Sequence, residues 1–209
     1  MVRSIVHLAD IHIRTFRYHE EYKEVFGNLF KVLKEVLSEY DYTEVRIAIV
    51  GDLVHQKIIV SNEQLMLGAW FLKELSKIAP VVIIAGNHDL LENNKDRMDS
   101  ITPMVQFLGD SFLSYLKESL CYEDDNIVWC SYSIFEDNKR PDIESARQEF
   151  GNDKTYVGLF HAPINNAITD VGFTIEHGAE LEIFEGCDLV LLGDIHRRQV
   201  FKYCGIPIA

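Results

Sequence analysis

The sequence predicts an α/β protein, in which buried strands alternate with amphipathic helices. Short apolar runs rich in Val and Ile, such as residues 81–84, are typical of strands buried on both faces of a sheet. Longer segments between these runs repeat apolar residues at helical spacing. Several runs end directly in Gly or in polar side chains, which is where open α/β sheets place their ligands.

Composition favours one globular domain over residues 1–209, because 47% of the residues are hydrophobic and the length allows a substantial core. No apolar run approaches the roughly 20 residues that span a bilayer. The N-terminus does not resemble a signal peptide, so we expect a soluble cytoplasmic protein without a membrane partner. The four cysteines form no Cys-x-x-Cys pair, which favours buried, reduced thiols over disulfides or a zinc knuckle.

The formal net charge of −13 argues against a simple basic nucleic-acid clamp. It leaves a nucleic-acid enzyme open, because bound divalent cations and basic loops can reverse the local sign.

In the first half of the chain, residues 4–9, 45–50 and 81–84 are predicted strands. The helix between the first two carries an apolar stripe that we interpret as core, formed by Tyr22, Val25, Phe26, Leu29, Val32, Leu33, Val36, Leu37 and Tyr40. Ser61 and Gln64 predict a capping box at the start of a helix that runs to about Ile78. Residues 91–120 are expected to be helical and irregular, with Pro103 at a helix start.

In the second half, residues 127–134, 155–160 and 189–192 are predicted strands, and residues 141–150 a short helix. Residues 162–180 are expected to be rich in loops. A further strand is predicted to begin at Val200, close to the last residue, so we expect a chain cut short at its C-terminal end.

Five of the predicted strands end in residues that bind metals. These are Asp10 and His12; Asp52, followed by His55; Asn87 and His88, followed by Asp89; His161; and Asp194 with His196. Any one of these motifs is also explained by a cap, a turn or a core histidine. All five together, each directly after an apolar strand, predict a metal site with more ligands than one ion needs. Carboxylate, imidazole and amide oxygen suit manganese, with zinc or iron possible.

These motifs resemble those of the calcineurin-like metallophosphoesterases over nearly the whole chain. Leu8-Ala9-Asp10-Ile11-His12 and Gly51-Asp52-Leu53-Val54-His55 are similar to the SbcD branch, the nuclease subunits of SbcCD and MRN-type DNA repair complexes. The resemblance implies a four-layer α/β/β/α sandwich with mixed sheets and two divalent metals at one edge, Mn²⁺ before Mg²⁺, Fe²⁺ or Zn²⁺.

The resemblance also implies a role for each motif residue. Asp10, His12 and His196 would hold the first metal, and Asn87, His161 and Asp194 the second. Asp52 would bridge the two. His88 would act on the substrate, with Asp89 orienting it. His55 would either support the metal ligands or position the substrate.

One position departs from the family pattern. The last motif is usually Gly-His-x-His but reads Gly-Asp-Ile-His here, with Asp194 at the variable position. An aspartate still offers an oxygen ligand, and it should favour manganese or magnesium over softer metals.

Basic residues follow three of the motifs and are candidate DNA contacts, because a phosphate backbone would pass there. Scattered solvated charges are an equally good interpretation of any one of them. The candidates are Arg14, Arg17, His19, Lys95, Arg97, Arg197 and Arg198, with Lys202 nearby.

The leading functional hypothesis is a manganese-dependent DNA exonuclease and endonuclease that acts in break repair or recombination. Its expected partners are DNA, an SbcC-like coiled-coil ATPase and a second copy of the chain. The DNA-capping and ATPase-binding regions of SbcD-like proteins are not expected within the 209 residues. Two alternatives stay open: a phosphoprotein phosphatase or small-molecule phosphodiesterase, and a non-catalytic dimerising subunit whose site has decayed. Apolar residues between Met98 and Leu113, beside the helix from Ser61, would form the dimer face or belong to the core.

Overall fold

A computed structural model describes residues 1–57, 59–91, 93–109 and 112–209. The chain divides into two compact units, Met1–Tyr115 and Leu116–Ala209.

The first unit is built on a parallel sheet of four strands, β1 (Ser4–Leu8), β2 (Val45–Val50), β3 (Val81–Ile84) and β4 (Leu113–Tyr115), in that spatial order. Every residue of β2 and β3 is buried, as their continuous β-branched runs predict. Parallel strands end at the same edge, so the motifs after β1, β2 and β3 are presented together.

Three helices accompany this sheet: α1 (His19–Val36), α2 (Asn62–Ser76) and α3 (Ile101–Leu108). The capping box predicted at Ser61 and Gln64 is confirmed at the start of α2. Phe26 and Phe71 join α1 to α2, with ring centroids 4.1 Å apart. Pro103 lies in the first turn of α3, where its missing N–H costs no helical hydrogen bond.

Two expectations for this unit are wrong. The apolar stripe of α1 is only partly core, because Val25, Val32 and Val36 are 61%, 53% and 67% exposed. Their side chains lie on the flank of the helix, beyond the narrow strip that packs on α2. The region 91–120 also contains β4, whose three residues are too few to show a strand pattern. Residues 92, 110 and 111 of that region lie outside the described residues.

The second unit contains a mixed six-stranded sheet with the order β5-β6-β7-β8-β10-β9. The strands are β5 (Cys121–Asp124), β6 (Ile127–Tyr132), β7 (Thr155–His161), β8 (Leu189–Gly193), β9 (Phe201–Tyr203) and β10 (Ile206–Ile208). Strands β6, β7, β8 and β10 are parallel, whereas β5 and β9 pair antiparallel with their neighbours.

A short helix, α4 (Ile143–Phe150), belongs to this second unit, and Asp142 caps it by accepting from the Ser145 N–H at 3.0 Å. Tyr132, Tyr156 and Phe184 are the large side chains of its core cluster. The predicted α/β class with two sheets is confirmed. No helix of the described residues is long and apolar enough to cross a membrane.

Candidate metal and catalytic site

The loops after β1 and β2 are joined backbone to backbone. The Asp10 N–H donates to the Gly51 carbonyl at 3.2 Å, and the His12 N–H donates to the Asp52 carbonyl at 2.9 Å. Ile13 continues this pairing in a single parallel bridge to Val54. The two loops therefore run side by side and bring the motif residues of both strands into one neighbourhood.

Four of the seven predicted metal ligands have an unusual backbone. Asp10, His12, Asp52 and Asp194 have φ angles of 55°, 50°, 56° and 84°, in the left-handed region that favours glycine. Only eight non-glycine residues of the described chain have positive φ, and four of them are predicted ligands. Such residues cost about 1–3 kcal/mol each and concentrate at functional sites.

Asp52 lies at the centre of the site in the first unit. Its side chain is buried, its Oδ1 accepts from the His88 N–H at 2.8 Å, and its Oδ2 lies 3.4 Å from His12 Nε2. The ligand atoms of Asp10 lie within 4.8 Å of those of both His12 and Asp52. Two donors that bind one ion at about 2.1 Å are about 3 to 3.5 Å apart, so the His12–Asp52 spacing suits a shared metal.

His12, His55 and His88 form a group that we call the histidine cluster. Their rings lie with centroids 4.8–5.3 Å apart, and ring nitrogens of all three lie within 4.8 Å of one another. His88 Nδ1 lies 2.6 Å from the His55 carbonyl oxygen. Because a carbonyl only accepts, the His88 proton is on Nδ1, which leaves Nε2 to receive or deliver a proton.

The resemblance implied that Asp89 orients His88, and this is wrong. The Asp89 carboxylate instead accepts hydrogen bonds from backbone N–H groups. It accepts from the N–H groups of Gly86, Leu53 and Val54 at 2.9, 3.2 and 3.0 Å, and from Ser100 Oγ at 3.3 Å. Asp89 therefore ties the loop after β2 to the loop after β3. Burial raises the pKa of Asp89 to about 6, against the opposing effect of these backbone donors.

Two residues that hold the loop after β1 were not predicted as part of the site. The Tyr22 hydroxyl of α1 donates to the His12 carbonyl at 2.5 Å, and Gln64 Nε2 of α2 donates to the Ile13 carbonyl at 3.1 Å. Tyr22 was assigned to the apolar stripe and Gln64 to the capping box. The signal that could have found them is a polar group on the buried face of an otherwise apolar helix.

The second unit carries the remaining predicted ligands at one edge of its sheet. His161 is the last residue of β7, is buried, and pairs in register with Gly193, the last residue of β8. Asp194 follows directly, and His196 is exposed two residues later. The structure therefore places His161 and Asp194 at the ends of adjacent parallel strands.

The candidate DNA contacts differ in how far their side chains are exposed to solvent. Arg14, Arg17, Arg97, Arg197 and Arg198 are exposed, and Lys95 is half-buried. His19 is a wrong prediction, because it is buried at the start of α1 and its Nε2 donates to the Arg14 carbonyl at 3.0 Å. Its ring stabilises the turn that leads into α1 and is not accessible to a substrate.

The donor set in the first unit fits divalent metal ions. Asp10 and Asp52 supply carboxylates, His12 an imidazole and Asn87 an amide oxygen, a mixture that suits manganese, iron or zinc. The shared neighbourhood of Asp10, His12 and Asp52, and the left-handed backbone at all three, agree with metal binding.

Comparisons with known proteins support this interpretation. The family model described as calcineurin-like phosphoesterase matches residues 3–198. An uncharacterised protein of Acanthamoeba polyphaga mimivirus, R555, is 38% identical over 206 residues, which are 95% of this chain and 15% of the viral protein. The chain thus spans a small part of that relative.

A solved structure has a similar fold. The phosphopantetheinyl hydrolase PptH of Mycobacterium tuberculosis matches with a TM-score of 0.54 at 12% identity, covering 98% of this chain and 86% of that one. At 12% identity, this similarity shows only that the two proteins share a fold.

Proposed function

The chain belongs to the calcineurin-like phosphoesterase family, and from this premise we propose that it is a manganese-dependent DNA nuclease. The family match supports a metal-dependent phosphoesterase with two divalent ions. The proposal adds the substrate, DNA, the cleavage of phosphodiester bonds at ends and within strands, and a role in break repair or recombination.

The observation that carries the proposal is the position of His55. Asp10, Asp52, Asn87 and His88 belong to the pattern of the whole family, whereas the His after Gly51-Asp52-Leu53-Val54 resembles the SbcD branch. His55 stacks on His88 with ring centroids 5.3 Å apart and rings inclined by 19°. Its Nδ1 lies 3.3 Å from His12 Nδ1. A residue of the narrower pattern therefore lies beside the family's catalytic histidine.

The site's own residues suggest how a phosphodiester would be handled. Asp10, His12, Asp52 and Asn87 would help to hold the divalent ions, which would supply an activated water and positive charge for the phosphoester. His88 is held by its Nδ1–H donating to the His55 carbonyl, and once its ring also carries a proton on Nε2 it can donate that proton to the leaving oxygen. Asp52 fixes the His88 backbone through the 2.8 Å bond from its N–H, so the ligand and the acid keep a constant separation.

The three ligands of the second unit complete the proposed set. His161, Asp194 and His196 are assigned to the metals from the family pattern, with Asp194 in the place where that pattern has His. We expect calorimetric titration of the metal-free protein to give two manganese ions per chain, and Asp194→His to shift selectivity from manganese towards zinc. One ion bound at activating manganese concentrations would contradict the two-metal assignment.

The substrate is tested with purified protein and Mn²⁺ on linear duplex, hairpin and single-stranded DNA. A small phosphodiester and a small phosphomonoester are assayed beside them. We expect DNA hydrolysis that EDTA abolishes. Turnover of only the monoester would instead assign a phosphatase, and turnover of only the small diester a small-molecule phosphodiesterase.

Two variants show whether the activity belongs to this site. Asn87→Ala should abolish every metal-dependent reaction, because it removes a predicted ligand. His55→Ala should lower DNA hydrolysis at least tenfold. Activity that survives Asn87→Ala comes from a contaminant, and a folded wild type that binds metal without turning over any substrate would support a decayed, non-catalytic subunit.

A second copy of the chain is the proposed partner at α2 and α3. A groove of about 250 Å³ lies between these helices, lined by Leu65, Met66, Met104 and Phe107 among others. Met66 and Phe107 are 58% and 71% exposed beside it. Apolar surface of this kind is typical of interfaces.

Sedimentation velocity tests the dimer. We expect Phe107→Glu to shift the wild-type dimer to a monomer and Val32→Glu, on the exposed flank of α1, to leave it unchanged. A wild type that stays monomeric at high concentration contradicts the dimer. The SbcC-like ATPase remains a proposal from the resemblance, tested by co-sedimentation with such a subunit.

A further inference from the structure

Three thiols of the second unit lie together in the sheet, and we call them the thiol cluster: Cys121, Cys130 and Cys187. Cys121 and Cys130 lie directly opposite each other on the antiparallel strands β5 and β6, with their sulfur atoms 3.6 Å apart. Cys187 packs in the same core cluster and lies 3.8 Å from the Tyr132 hydroxyl. The phosphoesterase chemistry proposed above uses none of them.

The register places Cys121 and Cys130 where two strands approach most closely. The neighbouring cross-strand pair is Leu120 and Ser131. The Ser131 N–H donates to the Leu120 carbonyl at 3.0 Å, so this neighbouring pair is hydrogen-bonded. Antiparallel pairs alternate, and Cys121–Cys130 is therefore a non-hydrogen-bonded pair, with Cα atoms about 4.5 Å apart in such pairs. Disulfides span Cα separations of about 4.4–6.8 Å, so the sulfur atoms can meet by side-chain rotation alone.

The two thiols differ in exposure and in proton affinity. Cys130 is fully buried, whereas Cys121 is half-buried on the edge strand, where small molecules can reach it. The hydrogen bond between the two thiols lowers the pKa of Cys121 and raises the pKa of Cys130. Thiolate therefore forms first at the more accessible sulfur, which is the reactive form of cysteine.

We propose that Cys121 and Cys130 form a reversible redox site that peroxide converts into a cross-strand disulfide. The Cys121 thiolate attacks one peroxide oxygen, the O–O bond breaks, and hydroxide leaves as water after protonation. Cys130 then attacks the sulfur of the resulting sulfenic acid, the S–O bond breaks, and a second water leaves. Two thiols are oxidised as one peroxide is reduced to two waters, and a dithiol restores the reduced pair.

The experiment exposes the native, reduced protein to hydrogen peroxide, alkylates it under denaturing conditions and maps it by mass spectrometry without reduction. Digestion uses a protease that cuts between the two cysteines, for example after Glu123, because no Lys or Arg lies between Cys121 and Cys130. We expect the Cys121 and Cys130 peptides to be linked, two of the four thiols to be lost, and dithiothreitol to restore both.

The wild-type map alone can overturn the proposal. A link between Cys130 and Cys187, or Cys121 recovered as sulfinic acid with Cys130 still alkylated, would each contradict it. So would recovery of both Cys121 and Cys130 as free thiols at a peroxide dose that oxidises the exposed Cys204.

Two variants sharpen the result. In Cys121→Ser the disulfide should not form, because the sulfur that reacts with peroxide is gone. Cys204→Ser is the matched control and should leave the linked peptides unchanged, since Cys204 is exposed and lies outside the thiol cluster. Linked peptides that vanish in Cys204→Ser would show that Cys204 mediates the oxidation, which contradicts direct reaction at Cys121.

Discussion

The histidine cluster and the thiol cluster show two ways in which a sheet can place reactive side chains. The histidines lie beyond the ends of β1, β2 and β3, in loops with a left-handed backbone at His12 and Asp52. The thiols of Cys121 and Cys130 lie within β5 and β6, where regular pairing sets their separation. Loops at strand ends bring together side chains from distant parts of the sequence, whereas a hairpin brings together residues only nine apart.

The difference teaches what each arrangement depends on. The geometry of the histidine cluster needs side-chain contacts, chiefly those of the Asp89 carboxylate and the Tyr22 hydroxyl, because only a few backbone hydrogen bonds join the loops. The Cys121–Cys130 pair needs only the register of β5 against β6. Substitutions should therefore affect catalysis in the first cluster and stability in the second.

The largest expected effect is that of His88→Ala, which removes the proposed acid. We expect kcat with Mn²⁺ to fall by about 10²–10⁴-fold. Cys130→Ala, the counterpart in the thiol cluster, should keep kcat within about twofold when assayed below its melting temperature. Equal losses of activity in both variants would contradict the separation of the two clusters.

Asp89→Asn should lower stability and activity together. Both carboxylate oxygens accept hydrogen bonds, and an amide NH₂ would face donors that then lose their acceptor. We expect a loss of about 2–4 kcal/mol in the free energy of unfolding, measured with urea, and a lower kcat.

Asp99→Asn is the matched control for Asp89→Asn. Asp99 is also buried, but its carboxylate caps the start of α3 by accepting from Ile101 and Thr102. This variant should lose stability and keep kcat. If Asp89→Asn also keeps kcat, the link between the two loops has no catalytic role.

The smallest expected effects separate the two thiols of the redox pair. Cys130→Ser places a hydroxyl in a fully buried position and should cost about 1–3 kcal/mol in urea unfolding. Cys121→Ser, at a half-buried position, should change the same free energy by less than about 1 kcal/mol. The reverse order would show that the edge strand is more tightly packed than its exposure indicates.

The parts of the fold that sequence could predict are those with local signals. The apolar runs of β2 and β3 and the capping box at Ser61 each depend on a few neighbouring residues. The three-residue strand β4 has too little sequence for a pattern. The exposure of Val25, Val32 and Val36 depends on which part of α1 meets α2, and helical spacing alone does not encode that choice.

The same distinction applies to the site. His12, Asp52 and His88 were predicted because ligand chemistry follows each strand directly in the sequence. The partners of Asp89 lie up to 36 residues away, so its role became visible only when the loops were seen together. The Cys121–Cys130 contact depends on the register of β5 against β6, and a shift by one residue would turn the two thiols to opposite faces.

The left-handed backbone at Asp10 and His12 has a consequence for laboratory evolution. Glycine adopts this conformation without a steric penalty, so replacing these two residues with glycine should make the fold more tolerant of heat while removing the predicted metal ligands. Asp52 differs, because its buried carboxylate accepts from the His88 N–H and glycine would lose that hydrogen bond. A selection for thermal resistance alone would therefore drive the protein towards a more heat-resistant and inactive form. Selection for turnover would keep the strained residues, and the two pressures would act in opposite directions on the same two positions.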